Sequence, residues 1–228
     1  MSEGTIVVLS GGLDSTVLLL HCIDAGLAPV EALSFNYGQR HDKELLYARK
    51  TCRELGIEWD EVDLRSVGSL LPGSSQTDSS IAVPEGHYEA ESMKLTVVPN
   101  RNAIMLMCAM GIAGARDRAR IAYAAHAGDH AIYPDCRPEF VEAARKMGAF
   151  VGWGEPIRLY APFNNWSKAE IVIEGNRLQL FERFGTWSCY KGGVAHCGVC
   201  GTCTERREAF RIAGVRDSTR YLSDEGRT

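Results

Sequence analysis

The feature that most constrains this 228-residue chain is a short β-rich apolar run, Thr5 to Leu9, that breaks into Ser10-Gly11-Gly12-Leu13-Asp14-Ser15-Thr16 and then takes helical spacing from Asp14 to Ala25. Paired glycines at that junction let a strand turn sharply into a helix and bring backbone N–H groups to an anion with no Cβ in the way. The helix start adds roughly half a positive charge to the same place. Ser10 and Ser15 can donate to phosphate oxygens, and Asp14 is placed to orient amides or help hold a metal. Neither G-x-x-x-x-G-K-[ST] nor G-x-G-x-x-G is present, so the segment is not the loop that grips a γ-phosphate, nor the dinucleotide fingerprint. The plain alternative is a glycine-containing βα turn capped by Ser or Asp.

The alternation continues along the chain. Strand-like runs at Val30 to Phe35, Glu58 to Val62, Arg120 to Ala124 and Ile157 to Tyr160 are interleaved with helical spacing at Lys43 to Leu55, Arg101 to Ala115, Pro138 to Met147 and Lys168 to Leu178. The pattern predicts an α/β fold, a doubly wound and mostly parallel sheet with its ligand site at the carboxyl ends of the strands. Ser66 to Pro99 breaks the rhythm with Ser, Gly, Pro and acidic residues, and reads as a solvated loop or a cover over the site. With 45% hydrophobic and 24% charged residues the chain can bury one sizeable core. We divide it into a nucleotide-binding catalytic domain, residues 1–180, and a C-terminal zinc-binding and helical segment, residues 181–228.

Charge and hydropathy narrow the partners. A net charge of -4 gives no basic footprint for a phosphodiester backbone, so a direct nucleic-acid partner is not expected. No signal peptide is visible and no apolar run approaches about 18 residues, so a cytoplasmic location without a membrane partner is the expectation. Among eight cysteines, Cys22, Cys52 and Cys108 sit among apolar or helix-forming neighbours and read as packing residues. Cys189, Cys197, Cys200 and Cys203 instead form C-x7-C-x2-C-x2-C, with Gly198 and Gly201 supplying tight turns. Four thiolates so spaced point to a structural zinc ion. The ferredoxin spacing would need a further cysteine followed by proline, which is absent. With four sulfur ligands no position is left open for water, so this zinc is expected to hold the segment rather than to catalyse.

Ser10 to Ser15, as SGGLDS, resembles the pyrophosphate loop of the ATP pyrophosphatase (PP-loop) family. Phe35-Asn36-Tyr37-Gly38-Gln39-Arg40-His41, Val98-Pro99-Asn100-Arg101-Asn102, Tyr133-Pro134-Asp135-Cys136-Arg137-Pro138-Glu139-Phe140 and the cysteine cluster extend the likeness, in this order, to the 7-cyano-7-deazaguanine synthases within that family. The likeness runs from about Thr5 to Phe210. It implies an adenine nucleotide alpha hydrolase-like fold and a carbon–nitrogen ligase that uses Mg-ATP. The implied reaction adenylates 7-carboxy-7-deazaguanine, lets free ammonia displace AMP to give an amide, and adenylates again to give the nitrile. A homodimer is also implied. The chain departs from the family at Leu13, Asn100 and Ala131-Ile132, where Gln, Gly and Ser-Gly are usual.

The candidate nucleotide contacts are Leu9, Ser10, Gly11, Gly12, Leu13, Asp14, Ser15 and Thr16, joined by Tyr37, Gln39 and Arg40, which suit stacking on a purine and balancing phosphate charge. Arg101 begins a helix after a proline turn and can clamp phosphate or carboxylate. Lys168 follows Ser167 at another helix start, where a cation opposes the helix dipole and so calls for an anionic partner; the family also has a lysine here. Asp14, Arg101 and Lys168 are the candidate catalytic residues. For the deazapurine, Asp129 or Asp135 can accept from a ring N–H and the exocyclic amine together, and Arg137 can meet the substrate carboxylate. His126 and His130 as metal ligands, and Cys136 as a nucleophile, are weaker readings. Two other functions stay open: a PP-loop enzyme that thiolates tRNA, and a noncatalytic nucleotide-binding protein.

Overall fold

The computed structural model describes residues 2–40, 42–151 and 154–224. Strand β1 (Ser2–Val8) lies between β2 (Val30–Asn36) and β4 (Arg118–Ala122); β3 (Trp59–Asp63) flanks β2, and β5 (Arg158–Tyr160) flanks β4. Every pairing is parallel. The helices are α1 (Leu13–Asp24), α2 (Lys43–Leu55), α3 (Arg65–Gly68), α4 (Arg101–Ala115), α5 (Pro138–Met147), α6 (Lys168–Arg177), α7 (Leu180–Arg183) and α8 (Gly201–Ala213). The strand order β3-β2-β1-β4-β5 reverses between β1 and β4, and a doubly wound sheet opens its ligand crevice at such a point.

Alternating side chains of β1 explain why the sheet is covered on both faces. Val7 and Leu9 enter one apolar layer with Ala32, Ala122 and residues of α1, α6 and α8, among them Val17, Ile171 and Phe210. Ile6 and Val8 enter the opposite layer with Leu33, Ile121 and residues of α4 and α5, among them Leu106, Met110 and Val141. Each fully buried side chain of this size contributes about 1.5–3 kcal/mol. Because Ala209 and Phe210 belong to the first layer, the C-terminal segment shares its core with the sheet. Helix α6 starts at a capping box: Glu170 N–H donates to Ser167 Oγ (3.3 Å) and Ser167 N–H donates to Glu170 Oε2 (2.7 Å). That cap fixes the direction in which Lys168 leaves the helix.

The stretch from 66 to 99 differs from a solvated loop. It includes a 3-10 turn over Glu91–Thr96, and Ser74, Ser75, Gln76 and Thr96 are buried. Hydrogen bonds staple it down: Ser75 N–H to Leu95 O (2.7 Å), Arg40 N–H to Gln76 O (2.6 Å), and Gly86 N–H to Val199 O (3.0 Å). The segment packs on the cysteine-rich region, where Glu85 bridges to Cys200, and Gln76 reaches the central cavity. Its low periodicity reflects irregular backbone held by side chains rather than freedom.

Candidate active site

The loop after β1 is tied to itself. Ser10 N–H donates to Ser15 Oγ (3.1 Å), Gly12 N–H to Ser10 Oγ (3.1 Å) and Thr16 Oγ1 to Gly12 O (2.7 Å). Gly11 has φ +89°, and a Cβ there would fall 1.9 Å from the Glu44 carbonyl oxygen of α2. The close approach of α2 therefore demands this glycine, whatever the loop binds. Gly12 is the N-cap of α1 and offers no side-chain cap, so the helix opens on unsatisfied amides at the cavity wall.

A cavity of about 220 Å³ occupies the crevice between β1 and β4. Leu9, Ser10, Gly12, Leu13, Asp14 and Ser15 form one wall, and Tyr37, Gln39, Arg101, Asp129 and Lys168 also reach it. Gly11 and Thr16 stand behind this wall and support it; Gly11 O accepts from Trp187 N–H (3.1 Å). Arg101 Nη1 donates to the Tyr37 hydroxyl (3.2 Å), and its guanidinium lies over the Tyr37 ring, 5.6 Å from the centroid. Gly68 approaches the Tyr37 carbonyl so closely that a Cβ would lie 1.8 Å from it, which fixes the loop that carries the ring.

Lys168 is the centre of a buried charge cluster. Its ammonium donates to Asp14 Oδ2 (2.7 Å) and lies 3.3 Å from Glu205 Oε2. Burial alone would raise the Asp14 carboxyl, but Lys168, aided by His126, outweighs it and holds the group below its ordinary value. Burial would likewise depress Lys168, and Asp14, Glu205 and Asp129 outweigh it, so the lysine stays protonated. For Glu205 burial wins over the pull of Lys168, and its carboxyl is raised. Glu44, on the same cavity, is pushed up to about 7 by burial against the opposing pull of Arg101. Among the described cavity residues four acidic groups, Asp14, Glu44, Asp129 and Glu205, face two strong cations, Arg101 and Lys168.

His126, Asp129 and Glu205 bring potential ligand atoms within 4.8 Å of one another. The hydrogen bonding argues against metal there. Gly128 N–H donates to His126 Nδ1 (3.1 Å), and Nε2 lies 3.3 Å from both Asp129 Oδ2 and the Lys168 ammonium. The protonated Lys168 thus already holds the place beside His126 and Glu205 that a metal cation would need.

Besides Gly11 and Thr16, three expected contacts are not brought to the cavity wall. Arg40 donates to the carbonyls of Asp78 (2.8 Å) and Ile81 (2.6 Å), anchoring the cover segment. Asp135 accepts from Asn102 N–H at the start of α4 (3.0 Å), a helix whose N-cap, Asn100, is left-handed at φ 57° and makes no side-chain cap. Arg137 is exposed and donates to His130 O (2.9 Å). Asp129 does reach the wall, but beside Lys168 and His126 and so among the charged groups. Cys136 lines the cavity with its thiol raised by burial, and it accepts from Asn102 Nδ2 (3.4 Å); the low-pKa nucleophile reading is corrected by that environment. His41 lies outside the described residues.

Sequence reading missed Glu44, Asn102, Trp187, Tyr190, Thr202 and Glu205 at this cavity. Four of these come from the C-terminal segment. There Cys189, Cys197, Cys200 and Cys203 place their sulfurs within 4.8 Å of one another, with Cys197 and Cys203 3.9 Å apart. Tetrahedral bonds of about 2.3 Å would set sulfurs about 3.8 Å apart, so the set fits a four-thiolate metal. Backbone N–H groups of Val199 (3.4 Å) and Cys200 (3.3 Å) point at Cys197 Sγ, as expected around a sulfur that carries negative charge. Helix α8 starts directly after Cys200 and carries both Cys203 and Glu205. No helix among the described residues is long and apolar enough to cross a membrane.

An uncapped helix start at the switch point of a parallel sheet, with Arg101 and Lys168 on the same cavity, defines the class: a doubly wound α/β protein whose crevice suits an anion. The chain belongs to the QueC family, since the family model described as "Queuosine biosynthesis protein QueC" matches residues 4–214. It is 54% identical over 220 residues to "7-cyano-7-deazaguanine synthase" of Rhizobium meliloti, covering 95% of this chain and 91% of the relative. With the protein of the same name from Ruegeria pomeroyi it shares 51% identity over 223 residues, 97% of this chain and 95% of the relative. Solved structures are more remote. An NH3-dependent NAD synthetase from Campylobacter jejuni superposes with TM-score 0.48 at 16% identity, over 81% of this chain and 67% of that one. The U34-tRNA thiolase NcsA from Methanococcus maripaludis, which carries a [4Fe-4S] cluster, gives TM-score 0.48 at 16% identity over 94% and 73%.

Proposed function

We propose that the chain is an ATP-dependent 7-cyano-7-deazaguanine synthase that joins ammonia to 7-carboxy-7-deazaguanine through adenylated intermediates, releasing AMP and pyrophosphate. Its product would serve queuosine biosynthesis. The observation that carries this reading is the convergence of the uncapped α1 start, Arg101 and the Asp14–Lys168 pair on one cavity, in a chain over half identical to a relative of that name.

The triphosphate lies against the first turn of α1, where the amides of Leu13, Asp14 and Ser15 and the hydroxyls of Ser10 and Ser15 meet its oxygens. A substrate carboxylate oxygen attacks the α-phosphorus and expels pyrophosphate. Lys168 and Arg101 stabilise the charge that moves to the phosphate oxygens, and a preorganised donor of this kind is worth about 10²–10³ in rate. Ammonia then adds to the activated carbon and AMP leaves. In a second round the amide oxygen is adenylated, and loss of AMP with a proton leaves the nitrile. The ring takes the apolar wall of Phe35, Met105 and Leu106 beside Tyr37. Asp129, beside His126, serves the reacting groups in this reading rather than the ring's donor edge.

Magnesium accompanying the nucleotide would be held by Asp14, whose buried Oδ1 has no hydrogen-bond partner, and would neutralise phosphate charge. Zinc on Cys189, Cys197, Cys200 and Cys203 would fix the C-terminal segment and, through α8, Glu205. A homodimer in the cytoplasm completes the reading. The test is incubation with ATP, magnesium, ammonium and 7-carboxy-7-deazaguanine, followed by mass spectrometry for AMP and the nitrile. ADP without AMP, or turnover only with tRNA, would sink it.

A further inference from the structure

In the proposed reaction the donor edge of the deazapurine ring still lacks a partner, and one carboxylate of the cavity lacks one too. Glu44, in the first turn of α2, lines the cavity, yet among the described residues its carboxylate accepts no hydrogen bond and makes no ion pair. The cations are engaged elsewhere: Lys168 donates to Asp14 (2.7 Å) and Arg101 to the Tyr37 hydroxyl (3.2 Å). Of the charges that act on Glu44, Arg101 is the strongest, ahead of Asp14 and Lys168, so the carboxylate belongs to the Tyr37 end of the cavity, beside the apolar wall of Phe35, Met105 and Leu106. Its main chain is fixed, because Glu44 O packs directly over Gly11.

A second group on the same cavity is unsatisfied. Gln76 is 3% exposed, and its Nε2 donates to nothing among the described residues. Its main chain is held on both sides, by Gln76 N–H to Ser74 Oγ (3.1 Å) and Arg40 N–H to Gln76 O (2.6 Å), so a fixed stretch of the cover segment presents the amide. A buried N–H without an acceptor is costly, and a ligand carbonyl would satisfy it. Carboxylate and amide together offer two acceptors and one donor. A ribose diol needs no donor from the protein, and adenine, with one amine on its pairing edge, would leave a carboxylate oxygen idle. A guanine-like edge, with a carbonyl, a ring N–H and an exocyclic amine in a row, uses all three. Two N–H donors also favour the ionised carboxylate, which offsets the burial that pushes Glu44 up to about 7.

We infer that Glu44 and Gln76 read the ring edge of the deazapurine acid and set the preference for a guanine-like ring, an inference that rests on the proposed synthase activity. Glu44 accepts from the ring N–H and the exocyclic amine, and Gln76 donates to the ring carbonyl. The carboxylate on C7 lies off this edge and stays free for adenylation.

The experiment compares 7-carboxy-7-deazaguanine with the same acid lacking the exocyclic amine, by calorimetric binding without ATP and by acid-dependent ATP–pyrophosphate exchange. The parent protein is expected to bind the full ring about tenfold or more tightly, the worth of one hydrogen bond to a charged group. A parent preference under about twofold overturns the assignment before any variant is made. Glu44→Gln keeps the size but turns an N–H against the exocyclic amine; the preference is expected to fall below about twofold while the KM for ATP stays within about twofold of the parent. Gln76→Leu is expected to raise the KM for the acid about fivefold and to keep the preference for the amine. A preference that survives in Glu44→Gln, or a KM for ATP that rises there in step with that for the acid and so puts Glu44 on ribose or adenine, overturns the assignment. An unchanged KM for the acid in Gln76→Leu overturns it as well. A parent protein that binds the acid with the expected preference yet shows no acid-dependent exchange refutes the synthase reading and leaves the ring edge standing.

Discussion

Replacing Lys168 with Met removes the one ammonium that Asp14 and Glu205 share and leaves a side chain of similar length. The lysine is 15% exposed in its side chain, Glu205 8% and Asp14 23%, so the orphaned carboxylates have little water to turn to. Breaking a buried pair by deleting one partner costs about 3–5 kcal/mol, and the partial exposure of Asp14 places this case near 3 kcal/mol. For a chain of this size that is a fall in Tm of about 6–12 °C. The pH dependence follows from the signs. In the parent protein Asp14 is held below its ordinary value, so its contribution is present above the unfolded pKa near 3.8 and is lost as pH falls through the depressed folded value. Lys168 is raised, so its contribution is full below about 10.5 and fades only as pH climbs through the higher folded value. In the variant the orphaned carboxylates bind protons more readily, so acidification relieves them. The gap in Tm between parent and variant should be full at pH 8 and narrow as pH falls. Thermal melts followed by circular dichroism at several pH values check this, alongside pyrophosphate exchange, which should drop about 10²–10³-fold. A gap under about 1 kcal/mol at pH 8, the worth of an exposed pair, or a gap that widens on acidification, would refute the buried-cluster reasoning.

Gly11→Ala forces a side chain into a left-handed backbone and against the Glu44 carbonyl; a loss of about 1–3 kcal/mol from the backbone alone is expected in denaturant melts. Cys136→Ala should keep pyrophosphate exchange within about threefold of the parent, because no covalent intermediate on that sulfur is needed; complete loss with the fold intact would show the thiol to be chemical after all. Removing the metal with a strong chelator should release one zinc ion per chain by colorimetric assay. It should also lower both Tm and exchange, since a four-thiolate site can contribute on the order of 10 kcal/mol to local folding.

What could be read from the residues was what is local. The turn at Ser10 to Ser15, the cap at Ser167 and the spacing of the four cysteines each depend on neighbours within a few positions, and each is found as expected. The strand β4 begins two residues ahead of its apolar run because Arg118 still pairs with Ser2 of β1, a register that only the partner strand sets. Arg40, Asp135 and Arg137 failed as cavity contacts for a related reason. A polar side chain serves whichever backbone group its reach allows, and the carbonyls of Asp78 and Ile81, the amide of Asn102 and the carbonyl of His130 come into reach only through tertiary packing.

Glu205 shows how this limit bears on function. In the sequence it is an acidic residue two positions past the last cysteine, with nothing to separate it from Glu208 on the same helix. Its meaning comes from α8 lying across α6, which brings position 205 to Lys168 while Cys203, two residues earlier, is turned into the four-cysteine cluster. A metal held there by four sulfur ligands would have no coordination site left for chemistry, yet the helix that starts at Cys200 delivers a carboxylate to the cavity. Mutating a cysteine ligand should therefore weaken adenylation and stability together, whereas a variant at Glu205 should keep its metal.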